Sequence, residues 1–325
     1  MADFLSLLKS TAAYGAFSGE VAKDRVAHAY LIVHPDDENL INYLKIFAKD
    51  IVKASSVDKE RAGSLIENGF HPDVKIYPAK KDVVLTEDVA DLINESYIKP
   101  IESGKKVFII NRAETMNASA QNKLLKTLEE PPKNAVIILG ATSEYPLLAT
   151  VKSRVRKLII PEFSESALKD ALKDDCPDAE KLKTAIACGN GTVGKTLENY
   201  LDEKLPLVLA AVIDVIVNMQ SSKDVLLFTG KIAALKVSAL EFISVMKTVF
   251  SDMLKAAEGK SDLVSDADAL KKTEGAKGFT EGALVFAIDS INESEKRLKF
   301  NVSEGTVIER LLFSILEGKY KWRKS

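Results

Sequence analysis

The feature that most constrains this chain is a rhythm in its first half. Short apolar runs, partly β-branched, occur at Ala29–Val33, Val74–Tyr77, 107–110, 136–139 and 158–160. Between them, stretches 40–52, 86–97 and Ala118–Glu129 carry apolar residues at helical spacing. Strands alternating with helices predict an α/β domain, a mostly parallel sheet with helices on both faces, because parallel neighbours need crossover connections. The near-continuous runs 107–110 and 136–139 are expected as its central strands.

After Pro161 the strand signal fades. Residues 164–200 read as a few short helices punctuated by Pro177 and a Gly189-Asn190-Gly191 turn. From Pro206 onward, 207–219, 238–257, Glu281–Leu298 and 303–316 space their apolar residues by three and four, whereas 259–278 is polar and reads as a loop with at most one helix. The expected plan is therefore an α/β domain over 1–162, a small helical domain over 163–205 and an all-α domain over 206–325. A length of 325 residues suits such a division.

Composition excludes several classes. With 45 Lys+Arg against 47 Asp+Glu the formal charge is −2, which argues against a chain that grips DNA alone through net charge. Two cysteines cannot build a disulfide framework or a Cys-rich zinc site. The apolar runs fall short of the roughly 18 residues of a membrane span, and Met1-Ala2-Asp3-Phe4 lacks the basic start of a signal peptide. A cytoplasmic protein without membrane contact is expected.

Two places could hold phosphate. The pattern G-x-x-x-x-G-K-[ST] occurs at Gly189, Gly194, Lys195 and Thr196. That chemistry needs a strand before the loop and a helix after it, so that backbone N–H groups converge on the anion. Residues 182–188 instead space their apolar groups like a helix, and the match reads as a Gly-rich turn between two helices; an active phosphate loop remains the rival reading. After the first strand, where an α/β nucleotide domain carries its loop, stands His34-Pro35-Asp36-Asp37-Glu38-Asn39. It has no Gly and no Lys, and three carboxylates would repel a polyphosphate. Asp36 or Asp37 is expected to cap the following helix.

The densest signal runs from Lys105 to Arg154: Val107-Phe108-Ile109-Ile110-Asn111-Arg112-Ala113-Glu114, then Leu124-Leu125-Lys126-Thr127-Leu128-Glu129-Glu130-Pro131-Pro132, then Val136-Ile137-Ile138-Leu139-Gly140-Ala141-Thr142, and finally Ser153-Arg154. This block resembles the clamp-loader subunits of the AAA+ superfamily, and His71-Pro72-Asp73 fits the same group. The resemblance implies an AAA+ α/β domain, a helical lid and a helical C-terminal oligomerisation collar. A motor subunit of that family carries a phosphate loop, an Asp-Glu pair after the third strand and a Cys-rich zinc module. Here those places hold Asp36 and Asp37, Asn111-Arg112, and no Cys before position 176. The chain is thus most similar to the delta-prime family of bacterial DNA polymerase III, in a form without nucleotide or zinc. No ATP, Mg²⁺ or zinc is expected on it.

The same resemblance implies roles. The family's Ser-Arg-Cys motif falls on Ser153, Arg154 and Val155, which makes Arg154 an arginine finger offered in trans to a neighbouring ATPase, with Ser153 beside it. Thr142 falls where AAA+ proteins sense the γ-phosphate and is expected to be vestigial with Asp36, Asp37 and Asn111. Implied partners are the gamma/tau motor subunits, the delta subunit, the beta sliding clamp and primer–template DNA through the assembled ring. The rivals are a clamp-opening delta-like subunit, an ATPase using the 189–196 loop, and a degenerate AAA+ scaffold outside replication.

Other residues carry weaker signals. Gln121, Asn122 and Lys126 are expected on an exposed helix face that could meet clamp or DNA, with Ala120, Leu124, Leu125 and Leu128 on the core face. Lys195 is expected as a solvated lysine. His28, His34 and His71 lack metal-ligand spacing. Cys176 and Cys188 read as small packing residues. Trp322, within Lys319-Tyr320-Lys321-Trp322-Arg323-Lys324, could stack on nucleic acid but more simply ends the chain.

Overall fold

All five apolar runs become strands in the computed structural model, which describes residues 3–79, 83–298 and 302–322. The described chain divides into two compact units, Met1–Asp175 with Gly191–Gly194, and Cys176–Asn190 with Lys195–Ser325. Arg323 and Lys324 of the basic-aromatic tail lie outside the described residues.

The first unit runs α1 (Phe4–Lys9), α2 (Ala12–Ala22), β1 (Ala29–Val33), α3 (Leu40–Ser55), α4 (Lys59–Glu67), β2 (Val74–Tyr77), α5 (Thr86–Ser96), β3 (Lys106–Ile110), α6 (Ala118–Glu129), β4 (Ala135–Ala141), α7 (Ala149–Lys152), β5 (Arg156–Ile159) and α8 (Glu165–Leu172). The strands form one parallel sheet in the order β2-β3-β4-β1-β5. β4 is the centre and all seven of its residues are buried. β3 lies beside it as expected, and β1 is equally interior, with Leu31 opposite Leu139.

Period-two alternation then divides the side chains between two faces. Leu31, Phe108, Ile110, Ile137 and Leu139 pack with Leu92 of α5 and with Leu124 and Leu128 of α6. On the other face Phe17 meets Tyr30 and Phe47 edge-on, at ring separations of 5.4 and 4.6 Å. Gly140 lets α3 lie close: a Cβ there would fall 2.3 Å from Leu44 Cδ1. The apolar pattern does not predict α1, α2 or α4. α1 is too short to show a period, and α2 mixes Gly15, Ser18 and Gly19 into its turns.

His71-Pro72-Asp73 proves to be a structural device. Asp73 is buried, and its carboxylate accepts from the backbone N–H groups of Ile101 (2.6 Å), Glu102 (2.8 Å) and Ser103 (2.8 Å) and from the Ser103 hydroxyl (3.0 Å). His71 Nδ1 accepts from Asp73 N–H at 3.1 Å. The carboxylate thus fastens the loop that leads into β3. Burial opposes its ionisation, but the converging donors outweigh burial and hold its pKa below the usual carboxylate value.

The second unit is helical among its described residues: α9 (Ala179–Ala187), α10 (Val193–Leu201, which opens in the first unit), α11 (Leu205–Asn218), α12 (Ser222–Ala234), α13 (Ala239–Ala257), α14 (Ala267–Lys272), α15 (Glu281–Leu298) and α16 (Glu304–Lys321). Its core joins Val212 of α11, Phe228 of α12, Phe242 and Phe250 of α13, Ile291 of α15 and Leu312 of α16. The polar stretch 259–278 holds α14 as its single α-helix, and α12 is an addition to the expected pattern. Cys176 and Cys188 are buried, and burial pushes the Cys188 thiol up to about 12. Among the described residues no helix is long and apolar enough to cross a membrane.

Asp73→Asn is expected to destabilise the first unit by about 2–3 kcal/mol at pH 7, because charged hydrogen bonds are replaced by weaker ones. The folded pKa lies below the unfolded one, so this stabilisation is present above the unfolded value of about 3.9 and disappears as pH falls through the folded value. Urea midpoints of the wild type and the variant should differ at pH 7 and draw together as pH falls through the folded value.

Candidate functional site

Parallel strands end on one edge of a sheet, and the turns that follow β1, β3 and β4 carry the residues singled out above. The turn after β1 is filled by its own side chains. His34 donates from Nδ1 to the Ile160 carbonyl (3.1 Å) and packs against the rings of Tyr43 (4.8 Å) and Phe163 (5.0 Å). Burial pushes its pKa down and keeps it neutral.

Asp36 is 3% exposed. Its Oδ2 accepts from the backbone N–H groups of Val193 and Gly194, both at 3.1 Å, where α10 begins. Its Oδ1 accepts from Asn39 N–H at 3.3 Å. Neither Asp36 nor Asp37 is the N-cap of α3. That position is Asn39, and Asp36 spends its charge on the start of α10 instead. N–H groups at a helix start are the donors that commonly receive anions, and here a carboxylate of the same chain already engages them. The fit is close: a Cβ on Gly194 would fall 2.5 Å from Asp36 Oδ1.

Asp37 pairs with Arg112 across the strand ends. Arg112 Nε reaches Asp37 Oδ1 at 2.6 Å and Nη2 reaches Oδ2 at 2.7 Å, a bidentate fork. Arg112 has φ 56°, in the left-handed region that a long side chain enters only when its surroundings hold it. Thr115 supplies part of that hold by donating its hydroxyl to the Arg112 carbonyl at 2.7 Å.

Asn111 and Thr142 lie just past the ends of β3 and β4, the neighbouring strands. The Asn111 Oδ1 is buried without a hydrogen-bond partner. Thr142 donates through its backbone N–H (2.9 Å) and hydroxyl (2.5 Å) to Glu114 Oε1. Glu114 escaped the sequence reading because nothing local marks it. Its partner stands 28 positions away.

The 189–196 match resolves into separate pieces. Gly194 belongs to the first unit, and Gly189, Lys195 and Thr196 to the second. The loop follows helix α9, with no strand before it. Gly189 is needed for close packing, since a Cβ there would fall 2.2 Å from the Thr196 hydroxyl. Lys195 pairs with Glu198 at 2.7 Å.

Arg154 stands just beyond α7, whose C-cap is Ser153. Its side chain is 35% exposed. Nε donates to Glu129 Oε1 (2.9 Å), Nη2 lies 2.7 Å from the same oxygen, and Nη1 donates to the Thr150 carbonyl (2.9 Å) and to Ser153 Oγ (3.1 Å). Val155 is partly buried against the core below.

The face of α6 departs from expectation at one residue. Asn122 and Lys126 are exposed, but Gln121 is 2% exposed. Its amide donates to the carbonyls of Met116 (3.0 Å) and Pro146 (3.2 Å) and accepts from Leu148 N–H (2.7 Å). A buried amide with three such partners is a tie between loops and cannot meet an outside surface.

Residues 9–164 match the family described as DNA polymerase III, delta subunit. The chain is 25% identical over 310 residues to the DNA polymerase III subunit delta' of Bacillus subtilis, covering 92% of this chain and 93% of that one. It is 29% identical to the subunit delta' of Pseudomonas aeruginosa over 175 residues, 51% of this chain and 53% of that one. A DNA polymerase III gamma subunit-related protein of Thermotoga maritima aligns in structure at a TM-score of 0.43 and 16% identity, covering 94% of this chain and 99% of that one.

Asp36→Ala is expected to cost about 1–2 kcal/mol, the usual loss for a helix-capping carboxylate. Amide exchange at Val193 and Gly194 should rise with it. Unchanged protection at those two amides would show that the carboxylate does not hold them.

Proposed function

We propose that this chain, a relative of the delta-prime clamp-loader subunits of bacterial DNA polymerase III, is a non-catalytic member of a clamp-loading ring that lends Arg154 to the ATP site of a neighbouring motor subunit. The observation that carries this reading is an asymmetry. The helix N–H groups and turns at the strand ends are filled by Asp36, by the Asp37–Arg112 fork and by Glu114, while Arg154, on its own short element past Ser153, is half-exposed and its one charged partner is the exposed Glu129.

The chemistry supports that division. A polyphosphate at the strand ends would meet three carboxylates at positions 36–38 and find the helix N–H groups taken. We therefore take the chain to bind no nucleotide and no Mg²⁺ of its own. A guanidinium is planar, permanently charged and able to fork onto two phosphate oxygens, which suits it to the charge that develops on a transferring γ-phosphoryl group. Ser153 would orient the arginine through its hydroxyl.

The partners that follow are the gamma/tau motor subunits, the delta subunit, the beta sliding clamp and primer–template DNA, the last met through the ring as a whole. The near-neutral chain contributes little attraction to DNA alone. A delta-type, clamp-opening role would leave the exposed Ser153-Arg154 pair without a purpose.

Reconstitution with motor and delta subunits of the same source tests the reading. Arg154→Ala should leave the complex assembled while the clamp- and DNA-stimulated ATPase at the served site falls by about 10³-fold or more. Unchanged turnover would remove Arg154 from the mechanism. The isolated chain titrated with a fluorescent ATP analogue and Mg²⁺ should give no saturable binding.

A further inference from the structure

A finger ready for phosphate would hold its donors open, and Arg154 does not. Three N–H groups of its guanidinium donate to atoms of its own chain, one each to Glu129 Oε1, the Thr150 carbonyl and Ser153 Oγ, and Nη2 lies 2.7 Å from the same Glu129 oxygen. Its positive charge is opposed by a full negative charge 2.7 Å away. The two kinds of partner differ in consequence. Thr150 and Ser153 are neutral and sit within one turn of Arg154, so they travel with it. Glu129 is the last residue of α6, 25 positions upstream, and is the only charged group among them.

We infer that Glu129 is a positioning residue that parks Arg154 and competes with the phosphate for it. This rests on the arginine-finger reading given above. The pair lies at the surface, with Glu129 49% and Arg154 35% exposed, so water and salt keep it weak enough to exchange. A shallow depression of about 690 Å³, bordered by Ala27, His28, Leu128, Glu129, Arg154 and Arg156, opens beside it and gives the guanidinium room to swing. A γ-phosphate carries more charge than a carboxylate and offers more oxygens, so it takes the arginine when a loaded neighbour comes within reach. Without one, the carboxylate holds the finger in place and screens its charge.

Glu129→Gln separates parking from structure, because it keeps the shape and an acceptor oxygen but removes the charge. In the reconstituted ring, this variant should lower the KM for ATP by about two- to fivefold, the range that an exposed ion pair commands, with kcat near that of the wild type. The difference should shrink as salt is raised. The double variant Glu129→Gln with Arg154→Ala should behave as Arg154→Ala alone, and thermal melting should show both singles folded. If Arg154→Ala depresses turnover but Glu129→Gln leaves KM unchanged, parking is overturned. It is equally overturned if Glu129→Gln loses kcat, since the carboxylate would then be aiming the arginine. If Arg154→Ala itself leaves turnover unchanged, the finger reading fails, and the two failures are distinguishable.

Discussion

Parallel pairing is the constraint from which the rest of the first unit follows. Five strands that all run the same way must each be followed by a crossover, so both faces of the sheet are covered and every carboxyl end emerges along one edge. Open α/β sheets place their ligand chemistry outside those ends. Here the same edge collects Asp36, Asp37, Arg112, Glu114 and Thr142 from turns far apart in sequence. The geometry of a binding edge is present, and its polar groups are directed at one another.

That inward direction has a physical economy. Asp36 is buried, and a buried charge without partners is costly. Asp36 answers the N–H groups, Asp37 answers Arg112, and Glu114 answers Thr142. Asp36, Asp37 and Arg112 are thus met by partners within the same unit, whereas the buried Asn111 Oδ1 is not. Arg112 even adopts a left-handed backbone in making its pair.

The strands and the long helices were legible because burial writes itself into local sequence. Ala29–Val33, Val74–Tyr77 and Ala118–Glu129 lie where the apolar spacing puts them. Gln121 was misread because an amide looks the same facing water or facing three backbone groups, and only the loops at Met116 and 146–148 decide which. Glu114 and Glu129 were invisible as hydrogen-bond partners for a related reason. Their counterparts are 28 and 25 residues distant, and periodicity carries no information at that range. Asp36 was recognised as out of place for phosphate, yet its true partners, 157 and 158 positions on, could not be read.

Helix α6 acts as a strut for the short element beside it. Near its start, Gln121 binds the backbone of Leu148, the N-cap of α7. At its last residue, Glu129 binds Arg154, just past the end of α7. A four-residue helix has little rigidity of its own. It borrows that of a twelve-residue neighbour that grips it at both ends. Adding or deleting one residue between Gln121 and Glu129 would turn one grip away from the other by about 100°. The length of α6 is therefore a gauge for the arginine, and the string from Leu124 to Glu129 is constrained by distance as much as by the side chains it presents.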